Sequence, residues 1–222
     1  MTADPNQTFK IISLDGAAAT GKSSTAHAVA KALNYLHVDT GAHYRIICYH
    51  LNQKSIQAVE NPELLNALDS FRINTLLNKN SVLFEINETQ VEPDDLRSYT
   101  VNTLVSQFAT LKPVRDFLLG YQRSLVDFAQ NHHFKGMIVE GRDIGSIVFP
   151  NATLKVFLEA DANTRIARRE KEGHMDVINK RDAIDATRTL SPLTCPKDAL
   201  NINTSLQSLD EVVSIILKQI SK

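Results

Sequence analysis

Residues 9–26, FKIISLDGAAATGKSSTA, hold the pattern that decides the fold. The apolar run over residues 10–14 ends at Asp15-Gly16 and predicts a strand buried on both faces. The glycines, lysine and serine that follow fit G-x-x-x-x-G-K-[ST], a loop whose backbone N–H groups wrap a phosphate chain. Apolar residues then recur at helical spacing over residues 22–33. The stretch therefore predicts a strand, a phosphate-binding loop and a helix, with a nucleotide as ligand.

The loop residues are predicted to have different roles in binding phosphate. Gly16 and Gly21 permit backbone conformations and close approaches that a side chain obstructs. Lys22 is predicted to place its charge on the transferred phosphate, and the Ser23 hydroxyl is the predicted magnesium ligand. Three alanines stand where such loops often have glycine or proline, and they are small enough for the loop to close. The predicted ATP-binding residues are Gly16, Ala17, Ala18, Ala19, Thr20, Gly21, Lys22, Ser23 and Ser24.

Composition excludes several classes of partner. The 222 residues carry 24 Lys+Arg against 25 Asp+Glu, a net charge of −1, so no global field attracts nucleic acid or a membrane surface. Cys48 and Cys195 stand far apart, which indicates buried or inert thiols rather than a disulfide framework or a zinc site. The N-terminus lacks a basic and apolar leader, and no segment reaches the ~18 apolar residues of a membrane span. We expect a cytoplasmic protein, and a monomer.

Strands and helices alternate along most of the chain. Further strands are predicted over residues 35–38, 137–139, 154–158 and 200–202, and helices over 43–51, 93–111, 113–130, 164–172 and 209–220. The middle differs, because residues 62–77 favour short helices and residues 81–86 with 89–91 favour a small hairpin. This pattern predicts an α/β fold with a parallel sheet, helices on both of its faces and an insertion in the middle.

Arginines follow several of the predicted strands and turns. Arg142 comes directly after an apolar strand, and Asp39-Thr40-Gly41 ends another strand, at the sheet edge where ligands bind in open α/β proteins. Arg165, Arg168 and Arg169 have helical spacing and are expected to form a solvated face. The adjacent His132-His133 lacks a partner at metal spacing and is expected to lie in a surface loop. Other arginines stand at positions 45, 115, 181 and 188.

Together these residues resemble the bacterial cytidylate kinase family over nearly the whole chain. The matching stretches are IISLDGAAATGKSSTAHAVAKAL, YLHVDTGAHYR, VNTLVSQFATLKPVRDFLLGYQR, IVEGRDIGSIVFPNATLKVFLEA and KRDAIDATRTLSPL. The resemblance implies a three-layer P-loop NTPase fold with a central parallel sheet, a monophosphate-binding insertion and a short lid. It also implies transfer of the γ-phosphoryl group of ATP to CMP or dCMP with Mg²⁺. One domain over residues 1–222 is expected, with core 9–60, 94–172 and 189–222, insertion 61–93 and lid 173–188.

The resemblance also implies site roles at matching positions. Thr40, Arg45, Arg142 and Arg188 are expected to hold the CMP phosphate, with Asp39 beside them at the acceptor site. Ser106, Arg115 and Asp143 are expected to face the cytosine. Asp143 has an alternative role, since it could orient Arg142 through an ion pair. Arg181 and Asp185 are expected to contact the ribose and to help close the site, and the implied catalytic residues are Lys22, Arg142, Arg181 and Arg188.

Two other functions share the phosphate-binding loop. The first is a kinase of a different small acceptor, such as another nucleoside monophosphate or shikimate, which a panel of acceptors would separate. The second is a nucleotide-binding switch, for which slow hydrolysis without an acceptor and missing acceptor-site arginines are expected. The arginines present here argue against the switch. Guanine recognition is not predicted, because N/T-K-x-D is only approximated at residues 78–80 and 179–182.

Overall fold

The computed structural model describes residues 8–171 and 192–221, and seven strands of these ranges form one sheet. In spatial order the strands are β3-β4-β2-β5-β1-β6-β7. All neighbours pair in parallel except β3 and β4, which are antiparallel. The strands are β1 (Lys10–Gly16), β2 (Leu36–Asp39), β3 (Ile73–Asn78), β4 (Ser81–Ile86), β5 (Gly136–Gly141), β6 (Leu154–Glu159) and β7 (Leu200–Asn203).

Helices cover both faces of this sheet. In the described ranges they are α1 (Lys22–Leu33), α2 (Thr40–Gln53), α3 (Pro62–Ser70), α4 (Pro93–Leu96), α5 (Tyr99–Phe108), α6 (Lys112–Asn131), α7 (Ala162–Lys171) and α8 (Leu209–Ile220). A π-helical turn, Ile144–Val148, follows β5. Side chains cap several N-termini: Asp39 accepts from the Ala42 N–H of α2, and Ser208 forms a capping box with Glu211 in α8. Among these helices none combines the length and apolarity needed to cross a membrane.

The alternation of side chains along the central strands separates two apolar layers. On β5, Ile138 packs with α1 and α8, whereas Met137 and Val139 pack with Leu125 and Ala129 of α6. Since successive side chains of a strand point to opposite faces, one buried strand serves both layers. A third cluster joins α2, α3, α5 and α6 to β4. The predicted three-layer α/β architecture with a mainly parallel sheet is confirmed.

The middle of the chain was predicted with the wrong pairing. Residues 62–77 are helical only as far as Ser70, and the remainder is β3, which pairs with β4 through the turn at Lys79. Lys79 has a positive φ of 56°, which a hairpin turn requires and which the sequence pattern did not reveal. The predicted pairing of 81–86 with 89–91 reduces to one bridge, Ile86 with Thr89. The predicted helix over 93–111 is two helices, α4 and α5, because Ser98 caps a new start.

The two cysteines are free thiols in different surroundings. Cys48 is buried in α2 within the third apolar cluster, and burial raises the pKa of its thiol to about 12. Cys195 is exposed in the stretch that precedes β7. One of the two thiols, that of Cys48, is therefore buried, and the other is exposed. His132 and His133 are exposed at the end of α6, as a surface loop requires.

Candidate functional site

The predicted phosphate-binding loop lies between β1 and α1 at the carboxyl edge of the sheet. Gly16 passes so close to β6 that an added Cβ would lie 2.3 Å from the Leu158 carbonyl oxygen. Gly21 and Ala19 both have positive φ, 89° and 60°. The loop therefore needs glycine at its two motif positions for different reasons: a close approach at the first and a left-handed backbone at the second.

Lys22 is a buried cation at the start of α1. Its Nζ donates to the Ala17 carbonyl oxygen of the same loop at 2.6 Å. Burial and the neighbouring Arg142 charge lower the pKa of Lys22 to about 7, against the opposing effects of Glu140, Asp15 and Asp39. An anion placed beside the ammonium group would favour its charged form. The position therefore suits a phosphate.

Glu140 is a site residue that the sequence analysis did not assign. It is buried at the end of β5, and its Oε2 accepts a hydrogen bond from the Ser23 Oγ at 2.8 Å. Its Oε1 lies 2.9 Å from the His37 Nε2, and its main-chain oxygen accepts from the Thr40 hydroxyl at 2.7 Å. Burial alone would raise the pKa of Glu140, but His37, Lys22 and Ser23 together lower it. A charged carboxylate thus lies beside the predicted magnesium ligand.

Asp15 is a second unassigned residue, at the end of β1. Its carboxylate oxygens accept from the Ile144 and Gly145 N–H groups at 2.8 and 2.7 Å. Burial raises its pKa to about 6, although both backbone hydrogen bonds oppose the shift. Asp15 therefore fastens the π-helical turn to β1, which fixes the chain immediately after Arg142 and Asp143.

Two cavities with shared lining residues lie above this edge of the sheet. The larger has a volume of about 560 Å³ and is lined by the phosphate-binding loop, Lys22, Glu140, Arg142 and the β4 region. The smaller has a volume of about 90 Å³ and shares Lys22, Glu140 and Arg142 with the first. Every predicted acceptor residue in the described ranges lines the smaller one, namely Asp39, Thr40, Arg45, Ser106, Arg115, Arg142 and Asp143.

The side chains that line the smaller cavity are fixed by ion pairs and hydrogen bonds. Asp143 forms a buried ion pair with Arg115, whose guanidinium also donates to the Ala109 carbonyl oxygen at 3.0 Å and lies 5.7 Å from the Tyr44 ring centroid. The Asp143 carboxylate thus has a buried guanidinium partner in Arg115. Its alternative role, in which it orients Arg142 through an ion pair, stays a prediction. Arg45 donates to the Leu96 carbonyl oxygen and to Asn102 at 2.8 and 2.7 Å.

Two of the three α7 arginines contact the phosphate-binding loop and the third lines the larger cavity, so the expected solvated face is wrong. Arg168 donates to the Ala19 carbonyl oxygen at 3.3 Å and to the Thr204 hydroxyl and carbonyl oxygens at 3.0 and 2.7 Å. Arg165 donates to the Ala18 carbonyl oxygen at 3.4 Å, and Arg169 lines the larger cavity. Helical spacing alone could not reveal which face of α7 meets the loop. The predicted lid residues Arg181, Asp185 and Arg188 lie outside the described residues.

Oxygen ligands suited to Mg²⁺ meet at the start of α1. The Ser23 hydroxyl and the Glu140 carboxylate lie 2.8 Å apart, and both line the larger cavity together with Asp39. Mg²⁺ in nucleotide sites is held by one or two such oxygens and by substrate phosphates. The residues present therefore fit a magnesium ion that arrives with a nucleotide.

Comparison with known proteins gives one family. A family model described as cytidylate kinase matches residues 12–222. The cytidylate kinase of Pediococcus pentosaceus is 37% identical, with 93% of both chains covered, and that of Fusobacterium nucleatum is 34% identical, with 96% of this chain and 97% of that one covered. A bifunctional pantoate ligase/cytidylate kinase of Prochlorococcus marinus is 36% identical over 93% of this chain, which spans 42% of that relative's length.

Proposed function

The chain belongs to the cytidylate kinase family, and from this premise we propose that it transfers the γ-phosphoryl group of ATP to CMP or dCMP. The observation that carries the proposal is the meeting of the two cavities at Lys22 and Arg142. A donor phosphate chain on the loop and an acceptor phosphate in the smaller cavity would face each other across these two cations. A site for hydrolysis alone has no need of the second, arginine-lined cavity.

The reaction needs positioning and charge more than covalent help. Phosphoryl transfer spreads negative charge over the equatorial oxygens of the transferred group, and preorganised cations stabilise that charge. Lys22 and Arg142 supply this positive charge from the described site, and Arg181 and Arg188 are proposed to add to the positive charge. No general base is required, because the acceptor is already an anionic phosphate oxygen.

Magnesium would be held by the Ser23 hydroxyl, with the Glu140 carboxylate beside it and Asp39 across the cavity. When bound with ATP, the ion neutralises charge on the phosphate oxygens and orients them for transfer. The loop residues would hold the ATP phosphates through their N–H groups, since a helix N-terminus and its preceding loop favour anions.

The acceptor would lie in the smaller cavity. Thr40, Arg45 and Arg142 would hold its phosphate, and Ser106 with the Arg115–Asp143 pair would face the base. A carboxylate accepts a hydrogen bond from the cytosine 4-amino group and repels the uracil 4-oxygen, which supports a preference for cytosine. Arg181, Asp185 and Arg188 are proposed to complete the site as part of a short lid over residues 173–188, beside an insertion over residues 61–93. We further propose one cytoplasmic, monomeric kinase domain.

A steady-state assay with ATP and Mg²⁺ against CMP, dCMP, UMP and AMP tests the proposal. We expect CMP and dCMP to be phosphorylated with a much higher kcat/KM than UMP or AMP. The Lys22→Ala variant is the control for contaminating kinases. Preference for AMP or UMP would favour a kinase of another nucleotide, and ATP hydrolysis unaffected by any acceptor would favour a switch.

A further inference from the structure

His37 is a buried polar residue in the middle of the sheet. It lies on β2 between Leu36 and Val38, and only 4% of its surface is exposed. A buried imidazole without hydrogen bonds is costly, so its position must be supported by partners. Neither the phosphate loop nor the acceptor cavity needs a histidine there.

The His37 ring fixes the carboxylate that touches Ser23. Its Nε2 lies 2.9 Å from the Glu140 Oε1, while the Glu140 Oε2 accepts from the Ser23 hydroxyl at 2.8 Å. The two oxygens of one planar group are thus committed to different partners. Holding the first oxygen sets the plane of the carboxylate and aims the second oxygen at Ser23.

The ring is itself held from the opposite side. Its Nδ1 lies 3.3 Å from the Ser81 Oγ, and the His37 N–H donates to the Asn80 carbonyl oxygen at 2.7 Å. The pairing of β2 with β4 is also centred on His37 and Ser81. The His27 ring of α1 also packs against the His37 ring, with 4.0 Å between ring centroids. One hydrogen-bonded chain therefore runs from the β3–β4 turn through His37 and Glu140 to Ser23.

We propose that His37 is a positioning residue that holds Glu140 against Ser23 and so shapes the site for the magnesium of the nucleotide. The inference rests on the proposed function in so far as that function places magnesium at Ser23. Groups that orient metal-binding side chains typically affect metal affinity by about 10- to 100-fold. The chain through Ser81 also makes the β3–β4 turn a support of this geometry.

Two substitutions at this position separate its two contacts. In His37→Gln the side-chain nitrogen can occupy the place of Nε2 and donate to Glu140. In His37→Asn the nitrogen lies nearer the place of Nδ1, so the Ser81 contact can survive while the Glu140 contact is lost. His50→Asn is the matched control, because His50 is half-buried near Phe71 and away from the cavities. Thermal unfolding and ADP affinity without metal are measured for all four proteins.

The measured quantity is the half-saturation of Mn²⁺, used as the probe in place of Mg²⁺, in the presence of ADP and followed by electron paramagnetic resonance. We expect His37→Asn to need about tenfold more Mn²⁺, and His37→Gln and His50→Asn to stay within about twofold of the unsubstituted protein. Equal half-saturation for the Asn and Gln variants at position 37 would overturn the proposal.

Two further outcomes are defined. If His37→Asn does not fold, Ser81→Ala takes its place, and a half-saturation equal to that of the unsubstituted protein overturns the proposal. The readout needs no acceptor, so it is separate from the CMP assay. A protein that phosphorylates no CMP but shows the Mn²⁺ difference would refute the proposed function and support the role of His37.

Discussion

The buried Asp143–Arg115 pair gives a sharp test of base recognition. We consider Asp143→Asn rather than Asp143→Ala, because alanine would leave the buried Arg115 guanidinium with neither a counter-charge nor an acceptor at this position, and breaking a buried ion pair in this way costs about 3–5 kcal/mol of stability. Asparagine also removes the negative charge. Asparagine keeps an oxygen that can accept from Arg115, and Arg115 retains its hydrogen bond to the Ala109 carbonyl oxygen. The fold should therefore survive, and the change at the cavity is chemical rather than steric.

The magnitude follows from the contact that is changed. A carboxylate discriminates between the cytosine 4-amino group and the uracil 4-oxygen, whereas an amide offers both an acceptor and donors. A correct base-edge contact is worth about 1–3 kcal/mol, so the CMP to UMP ratio of kcat/KM should fall by roughly 5- to 150-fold. We expect kcat/KM for CMP to drop and that for UMP to be unchanged or to rise.

The assay measures kcat/KM for both acceptors at saturating ATP, with Asp127→Asn on the exposed face of α6 as the matched control. If Asp143 acts only by holding Arg115, both acceptors should lose activity by the same factor. An unchanged CMP to UMP ratio in a folded Asp143→Asn protein would refute the base-reading role.

Four further predictions concern the cations. Lys22→Ala should lower kcat/KM by ~3 kcal/mol or more, over 100-fold, with unchanged thermal unfolding; near-normal turnover would contradict the loop assignment. Because the pKa of Lys22 is about 7 in the free protein and phosphates raise it, ATP binding should take up close to ~1 proton near pH 8 and far less near pH 6, as calorimetry in buffers of different ionisation enthalpy would detect. Arg168→Ala should weaken ATP binding by about tenfold, since it removes a charge-assisted hydrogen bond to the Ala19 carbonyl oxygen of the loop and another to Thr204, whereas exposed Glu170→Ala should not; equal binding would show that the contacts are incidental. Substituting Arg181 or Arg188 should lower turnover more than ATP affinity, and equal losses would make them ordinary binding groups.

The residues that could be predicted are those whose role is local in sequence. The strand, loop and helix around Lys22 follow from glycine spacing and apolar periodicity within residues 10–33, and helix α1 has the predicted bounds. The place of Arg142 and Asp39 at the cavities was also predictable, because Arg142 follows β5, Asp39 ends β2, and the carboxyl ends of parallel strands share one edge. The family resemblance supplied Ser106 and Arg115, which no local rule would have selected from α5 and α6.

The missed residues depend on contacts between distant elements. Asp15 and Glu140 were part of recognised stretches, but their partners lie 129 and 117 positions away for Ile144 and Ser23. A signal did exist, since a carboxylate that ends a buried strand is rarely without a partner. For α7 no signal was available: it has no buried residue among those described, so apolar periodicity cannot orient its arginines. The β3–β4 pairing depended on a lysine with positive φ, which composition does not favour.

The arrangement of charges explains how a chain of net charge −1 can bind a small polyanion. The carboxylates at the strand ends are occupied: Asp15 accepts two backbone N–H groups, Asp39 caps α2, and Glu140 accepts from Ser23 and contacts His37. By contrast, the Lys22 ammonium donates to a neutral carbonyl oxygen of the loop, and Arg142 lines both cavities. Lys22 and Arg142 both line the two cavities, so local positive charge meets phosphates that enter there, whatever the net charge of the chain.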